Sequence, residues 1–225
     1  MRPIVKAGIH IALVGNPNSG KSSLFNALTG LQQKVGNFPG VTVDKKTGDL
    51  QIGPHQSTLI DLPGTYSFYP KREDEWVAYR VLMGVDEDVK TDVILLIADA
   101  SNLKRNLLFC SQIIDLKIPV VLALTMNDLA QKKGIKVDIA GLQSDLGIPV
   151  VAVDARKNKG LGELKKVLGQ IIETPRSRNQ ESFIDNKNLA PAAIDAFKKT
   201  YPTHSDYAAL HYLMHHATFP LDQEM

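Results

Sequence analysis

The chain has 225 residues and a formal net charge of +2, and 44% of its residues are hydrophobic while 22% are charged. This composition is ordinary for a soluble globular protein, and the length suffices for one full α/β domain with a small appendage. The near-zero charge, with no basic block, gives no sign of a nucleic-acid-binding surface, and the single cysteine, Cys110, excludes an internal disulfide framework.

Two further features bear on membrane insertion. Residues 1–6 lack the apolar core of a signal peptide. The longest apolar stretches, at 93–98 and 118–124, are too short to span a bilayer. We therefore expect the chain to be soluble as given, and it could still be a fragment of something larger.

Short apolar runs alternate with segments of helical periodicity along residues 9–172. Strands are predicted at 9–14, 42–51, 57–61, 92–98, 119–125 and 149–153. Helices are predicted at 21–29, 73–83, 103–116, 138–146 and 161–172. This alternation indicates an α/β fold with a mostly parallel six-stranded sheet and helices on both faces. The pair 42–51 and 57–61, joined at Gly53-Pro54, suggests one antiparallel edge strand.

The composition changes after Ile172. Residues 173–182 are polar with an early proline, which predicts a linker. Helices are then predicted at 190–199 and 205–219, and the second has an apolar stripe of Leu210, Leu213, Met214 and Ala217. Two short helices cannot form an independent core. We therefore divide the chain into a domain at 1–172 and a linker with a partial helical domain at 173–225, which packs on the first domain or is incomplete.

The most informative motif is G-x-x-x-x-G-K-S, placed between the first predicted strand and the first predicted helix. It consists of Gly15, Asn16, Pro17, Asn18, Ser19, Gly20, Lys21 and Ser22, and Ser23 follows it. Glycines let the backbone approach a phosphate closely, and successive N–H groups and the positive helix end face the anion. Lys21 adds a charge at the β- and γ-phosphates, and the Ser22 hydroxyl can bind Mg²⁺. The motif predicts binding of a nucleoside triphosphate.

A second motif, Asp61-Leu62-Pro63-Gly64, follows the predicted strand 57–61. The Asp61 carboxylate can hold Mg²⁺ through a water, and the Gly64 N–H can meet the γ-phosphate. Between the two motifs lies the loop 36–43, with Gly40, Val41 and Thr42. The Thr42 hydroxyl can be a second Mg²⁺ ligand while its backbone N–H meets the γ-phosphate. The glycines and proline suit a loop that changes shape, although a plain surface loop is the alternative.

These motifs together resemble the translation-factor class of small GTPases, and most closely the N-terminal domain of the ferrous-iron transport protein B family. The string Gly36-Asn37-Phe38-Pro39-Gly40-Val41-Thr42 is the most family-specific part, and the similarity covers residues 8–172. The resemblance implies a P-loop GTPase fold, with GTP and GDP as ligands, at the cytoplasmic face of the bacterial inner membrane. It also implies a helical domain that tunes nucleotide release and a membrane-spanning iron permease in the same full-length protein.

The resemblance further implies a K⁺ ion beside the phosphates, held by Asn18 and the backbone near Gly36-Asn37. A loop-shaping role for Asn18 is the alternative, since asparagine is common in tight turns. Thr65 stands where many GTPases have a glutamine that orients the attacking water, so the backbone or another group would position that water. The expected catalytic residues are then Lys21, Thr42, Gly64 and Asn18.

The base pocket departs from the family's Asn-x-x-Asp, because the residues here are Thr125-Met126-Asn127-Asp128. The Asp128 carboxylate can accept both N1–H and N2–H of guanine, whereas adenine would leave it unpaired. Met126 can cover the face of the base. The Thr125 hydroxyl can make one bond to the phosphate loop but not the full set of an asparagine amide.

The family's last motif, Ser-Ala-[Lys/Arg], is replaced by Asp154-Ala155-Arg156. The Ala155 N–H can still donate to guanine O6. Asp154, however, stands where a serine hydroxyl would support Asp128, and two close carboxylates disfavour each other's ionisation. We therefore expect weakened nucleotide affinity or relaxed discrimination between purines.

Two alternative functions stay open: a ribosome- or RNA-associated GTPase of the same class, and a non-hydrolysing regulatory module that binds nucleotide weakly. The oligomeric state is also open, including a homo-oligomer. His211 and His215 lie four residues apart on a predicted helix, but no carboxylate or cysteine has matching spacing. We therefore expect a solvated histidine face there, and packing roles for Cys110 and Trp76.

Overall fold

The structure, a computed structural model, describes residues 8–30, 33–38, 41–85, 90–174 and 182–216. Its strands are β1 (Ile9–Gly15), β2 (Gln33–Asn37), β3 (Asp44–Ile52), β4 (His55–Asp61), β5 (Val93–Asp99), β6 (Val120–Thr125) and β7 (Val150–Ala152). Its α-helices are α1 (Lys21–Thr29), α2 (Glu73–Met83), α3 (Leu103–Asp115), α4 (Asn127–Lys132), α5 (Ile139–Leu146), α6 (Leu161–Glu173), α7 (Pro191–Thr200) and α8 (Asp206–Met214). Gly40, Ala217 and most of the predicted linker lie outside the described residues.

Within the described ranges the sheet has seven strands, in the order β2-β3-β4-β1-β5-β6-β7. The strands from β4 to β7 in this order are parallel, whereas β3 is antiparallel to both β2 and β4. The mostly parallel sheet is therefore confirmed, but the number of six is short by one, and β3 is not the edge. The sequence of the extra strand, β2, does not alternate between apolar and polar residues. Its Val35 is 67% exposed, so this strand has no buried face that a pattern could show. Pairing with β3 is what makes it a strand.

Helices cover both faces of the sheet, as predicted. Along β1, Ile11 and Leu13 pack in the layer that contains α1 and α6. Ala12 and Val14 pack in the opposite layer, which contains α2, α3 and part of α8. Strand residues point alternately to the two faces, so a strand buried on both sides reads as an unbroken apolar run. Cys110 lies in this core, where burial raises the pKa of its thiol to about 12, which confirms the packing role.

Of the C-terminal helices, α8 packs on the main domain and α7 packs on α8. The Tyr212 hydroxyl of α8 donates to the Met83 carbonyl at the end of α2, at 2.5 Å. The predicted apolar stripe is not the most buried face of this helix, since Leu210 and Leu213 are half-buried and Met214 is 49% exposed. The buried residues are instead Tyr207, Ala208, Ala209 and His211. None of the helices in the described ranges combines the length and the apolarity needed to cross a bilayer.

The expectation of a solvated histidine face is also wrong, because His211 is fully buried. Aromatic rings from α2 and from the loop before it surround this imidazole, and its helical spacing alone could not show that. No group of three or more histidine, cysteine or acidic side chains within the described ranges is arranged to hold a metal ion.

Candidate functional site

The predicted motifs meet at one edge of the sheet. Gly15 ends β1, Asp61 ends β4 and Thr125 ends β6. Because these three strands are parallel, their carboxyl ends lie at the same edge, which is where open α/β sheets bind ligands. Residues 154–156 follow β7 and reach this edge too.

The phosphate-loop motif forms a tight turn between β1 and α1. A Cβ atom on Gly15 would lie 2.8 Å from the Ile97 carbonyl oxygen, so no larger residue fits there. Asn18 and Gly20 have left-handed backbones, with φ of 62° and 87°. No side chain caps α1 at its start. Its first N–H groups therefore face outwards without an intrahelical partner, which suits an anion.

Lys21 and Asp61 lie side by side and form an ion pair between Nζ and Oδ1. Their side chains are 14% and 9% exposed, so the pair is largely shielded from solvent. Ser22 and Ser23 are exposed at the start of α1. The carboxylate and hydroxyl oxygens gathered here are the hard donors that Mg²⁺ prefers, and Asp61 already faces a cationic group. These residues fit a magnesium ion.

The segment after β4 lies against the phosphate loop. The Leu62 N–H donates to the Leu13 carbonyl at 3.1 Å, and the Thr65 N–H donates to the Gly15 carbonyl at 3.3 Å. A Cβ atom on Gly64 would lie 3.1 Å from the Pro17 nitrogen. Pro63 is half-buried between these contacts. Gly64 is thus held where its N–H can face a phosphate bound by the loop.

Thr65 itself is buried, and its hydroxyl donates to the Ser67 carbonyl at 2.7 Å. This hydroxyl is therefore engaged within its own turn. Positioning of the attacking water by the backbone or by another group stays a prediction.

The loop 36–43 is only partly described. The Phe38 N–H donates to the Val43 carbonyl at 3.0 Å, and the Val41 N–H donates to the Phe38 carbonyl at 3.3 Å. Thr42 is exposed, and within the described residues it makes no hydrogen bond to Ser22 or Asp61. The structure therefore brings Lys21, Asp61 and Gly64 to the phosphate loop but does not bring Thr42 there.

At the base end, Thr125 connects β6 to the phosphate loop. Its hydroxyl donates to the Ser19 carbonyl at 2.7 Å and also lies 3.1 Å from the Ala98 carbonyl oxygen. The single bond to the phosphate loop expected of a threonine is therefore present. Met126 follows with a left-handed backbone, φ 54°, and Asp128 is exposed in the first turn of α4.

Asn127 is a residue of this region that the sequence did not single out. Its amide Nδ2 donates to the Leu124 carbonyl at 2.7 Å and to the Val153 carbonyl at 3.3 Å. It thereby joins the ends of β6 and β7, the two strands that carry the base-pocket residues. The family pattern leaves this position unspecified, so only the three-dimensional contact identifies it.

Asp154 has a different role from the one expected. It caps the short 3-10 turn Ala155–Lys157, since its carboxylate accepts the Lys157 N–H at 3.2 Å. Partial burial on its own would raise the pKa of Asp154, but this hydrogen bond and the nearby Lys157 charge outweigh it and lower that pKa. The expected mutual suppression of ionisation with Asp128 is therefore wrong for Asp154. Ala155 is half-buried and Arg156 is exposed in the same turn.

Comparison with known proteins places these features in one family. The family model described as Ferrous iron transport protein B matches residues 9–168. The Fe(2+) transporter FeoB of Leptospira biflexa is 45% identical over 180 residues, which are 80% of this chain and 24% of that protein. The corresponding transporter of Salmonella typhimurium is 44% identical over 159 residues, 69% of this chain and 20% of that protein. The chain thus spans about a quarter or less of these relatives.

Comparison with solved structures supports the same family. A GDP-bound mutant of the S. thermophilus FeoB G-domain superposes with a TM-score of 0.80 at 36% identity, over 96% of this chain and 84% of that one. The cytosolic domain of L. pneumophila FeoB gives a TM-score of 0.76 at 36% identity, over 90% of this chain and 78% of that one. The predicted GTPase fold, with helices after it, is therefore confirmed.

Proposed function

Because this chain belongs to the ferrous iron transport protein B family, we propose that it binds GTP and hydrolyses it slowly to GDP with Mg²⁺ as cofactor. The observation that carries the proposal is the meeting of Lys21, Asp61 and Gly64 at the phosphate loop. The similar S. thermophilus domain was solved with GDP bound, which supports a guanine nucleotide as the ligand.

The phosphates would lie against the backbone of residues 15–22, with the Lys21 ammonium turning from Asp61 to the β- and γ-phosphates. Ser22, Asp61 and, after the loop 36–43 closes, Thr42 would hold Mg²⁺. Held there, Mg²⁺ would supply positive charge next to the γ-phosphoryl group. The N–H groups of Gly64 and Thr42 would donate to oxygens of the same phosphoryl group. Both loops would then be ordered when the γ-phosphate is present and released when it is lost.

The base would lie between Met126 and the turn after β7. Asp128 would accept from guanine N1–H and N2–H, and the Ala155 N–H would donate to O6. Asn18 would contribute its amide oxygen to a K⁺ ion beside the phosphates, since its side chain is exposed and its loop backbone is fixed in the left-handed region.

One phosphate-release assay tests these assignments together. We expect release from GTP to exceed release from ATP, and KCl to support a faster rate than NaCl. Asn18→Ala should remove the difference between the two salts. Equal rates in KCl and NaCl would contradict the potassium site, and equal rates with GTP and ATP would contradict discrimination of the base by Asp128.

In the full-length protein, we propose that the nucleotide state gates or energises ferrous iron transport across the bacterial inner membrane, with this domain on the cytoplasmic face. The loops at 36–42 and 61–70 would change shape, and the helical residues after 182 would relay the change to the membrane-spanning part. Iron uptake by the full-length protein with Lys21→Ala should be lost. Uptake at the normal level would contradict both gating and energising.

A second candidate is a regulatory module that binds nucleotide weakly and does not hydrolyse it. Thr125 and Asp154 at the base end favour it, because threonine lacks the amide of the family's asparagine and aspartate lacks the hydroxyl of the family's serine. Nucleotide binding without phosphate release, under any salt, would select this candidate. RNA or ribosome association has no such support at a net charge of +2, and filter binding to RNA would test it.

A further inference from the structure

A buried histidine connects the C-terminal helix α8 to the segment that follows Gly64. The His211 ring is fully buried, and its centroid lies 5.0 Å from that of Phe68 and 4.9 Å from that of Tyr69. From α2, the Tyr79 hydroxyl lies 3.0 Å from His211 Nδ1. We call Phe68, Tyr69, Tyr79, Tyr207 and His211 the His211 cluster.

The segment 64–69 is held at both ends. At its start, Gly64 packs on Pro17, and the Thr65 N–H donates to the Gly15 carbonyl. At its end, Phe68 and Tyr69 contact His211, and the Phe68 N–H donates to Gln112 Oε1 at 2.9 Å. Only a few residues separate the phosphate loop from α8 along this path. The segment therefore connects the phosphate loop to α8 physically.

The surroundings of His211 favour the neutral imidazole. The titratable groups that face it are Tyr69 from the loop, Tyr79 from α2, Tyr207 from α8 and His215 just after α8. None of these is a carboxylate, and Nε2 has no hydrogen-bond partner in the described part of the chain. Burial, followed by the proximity of His215, lowers the pKa of His211 to about 4. A protonated ring here would be a buried cation without a counter-charge.

We propose that His211 is a positioning residue for nucleotide binding: as a neutral ring it holds Phe68 and Tyr69, and thereby orders the segment that carries Gly64. This rests on the proposed function, in which the Gly64 N–H meets the γ-phosphate. A segment that is ordered before binding loses less conformational entropy on binding. Ordering of this segment by His211 should therefore increase the affinity for GTP more than the affinity for GDP, because GDP has no γ-phosphate.

The same geometry makes docking of α8 depend on pH. The pKa of His211 is about 4 when the ring is buried, against 6.5 as its ordinary value. The neutral form is the docked form, so docking is strongest above pH 6.5 and weakens as the pH falls from 6.5 toward 4. These two values correspond to a roughly tenfold fall in the docking equilibrium between about pH 7.5 and pH 5.5.

Trp76 offers a direct readout of docking that needs no nucleotide. It is the chain's one tryptophan, and its ring lies 5.1 Å from that of His215 and 5.4 Å from that of Tyr79. We expect the emission of Trp76 in the whole chain to change with pH, with a midpoint between the two pKa values. His211→Asn should abolish the change, because asparagine can accept from Tyr79 but does not titrate.

Two controls separate His211 from its neighbours. His216→Asn removes an exposed histidine from the turn that follows the same helix and should leave the titration unchanged. His215→Asn removes the histidine that touches Trp76 directly, and the transition should persist. A transition that survives His211→Asn, or disappears with His215→Asn, would overturn the proposal.

The link to the nucleotide site is tested by the dissociation constants of GDP and a non-hydrolysable GTP analogue at pH 7.5 and 5.5. We expect the wild type to lose several-fold more affinity for the analogue than for GDP at the lower pH, and we expect no such difference between the two nucleotides in His211→Asn. Tyr79→Phe keeps the ring and removes the hydroxyl, so it should shift the Trp76 midpoint upward even if His211→Asn folds poorly. Equal pH effects on both nucleotides would contradict the positioning role. Absence of any nucleotide binding would contradict the proposed function instead, and the Trp76 titration would still decide whether His211 controls docking.

Discussion

The phosphate end and the base end of the site are built in different ways. At the phosphate end the contacts depend on backbone groups and on glycines at which a Cβ atom would clash, such as Gly15. At the base end they depend on side chains, namely Thr125, Asn127 and Asp154. A backbone site tolerates few substitutions, whereas a side-chain site can change one residue at a time. The phosphate end accordingly matches its motif completely and the base end does not.

The largest expected effect is at the phosphate end. Lys21→Ala removes the only charge that the motif places on the β- and γ-phosphates, and it leaves Asp61 without its ion-pair partner. Affinity for GDP and for a GTP analogue should fall by roughly 100-fold, as for loss of a charge-assisted hydrogen bond. Calorimetry measures this, with Lys166→Ala on the exposed side of α6 as the control. A loss below tenfold would show that the backbone alone holds the phosphates.

A smaller effect is expected at Gly64. In Gly64→Ala the new methyl group would lie 3.1 Å from the Pro17 nitrogen, which pushes the segment away from the phosphate loop. Binding of a GTP analogue should weaken about tenfold, with GDP affected less, because overpacking of this kind costs about 1–3 kcal/mol. Gly162→Ala is the matched control, since it lies in a helix with no atom within 4 Å of a Cβ. Equal weakening of both nucleotides would contradict a contact specific to the γ-phosphate.

The connection between the two ends can be tested by Thr125→Val. This change keeps the shape but leaves the buried Ser19 carbonyl without its 2.7 Å hydrogen bond. The free energy of unfolding should fall by about 1–2 kcal/mol, as measured by denaturant titration. Thr203→Val on an exposed turn provides the comparison. Unchanged stability of Thr125→Val would mean that the two ends are held together by other contacts.

The smallest effects are expected from restoring the family's residues at the base end. Thr125→Asn should tighten GDP binding because an amide can add bonds that a hydroxyl cannot. Asp154→Ser should do the same because it restores the hydroxyl that the family has at this position, and serine can still cap the turn. Each change should improve affinity about three- to tenfold, measured by calorimetry. No improvement in either variant would contradict a weakened base pocket.

The sequence predicted the main elements of the fold because most of them are buried and periodic. The strands predicted at 9–14 and 92–98 contain the unbroken apolar runs 11–14 and 93–98, and the structure has β1 and β5 there. The sequence did not predict β2, whose residues are mostly exposed, or α4, which is too short to show a helical period. The misread face of α8 has another cause. When a helix has alanine on one side and leucine on the other, its sequence alone does not show which side packs against the rest of the protein.

The phosphate end follows from the sequence itself. The phosphate loop is shaped locally, from β1 through the glycine turn to α1, by the backbone conformations that glycine permits. The motif at 61–64 identifies the residues that tertiary contacts then bring to this loop. The tertiary structure alone decided the rest. Asp154 pairs with Lys157 rather than opposing Asp128, Asn127 joins two strand ends, and His211 lies among rings that come from α2 and the loop before it. The contacts of Asn127 and His211 come from groups distant along the chain, whereas Asp154 pairs within its own turn. In each case the burial and charge around the side chain determine whether it pairs, caps or stays neutral.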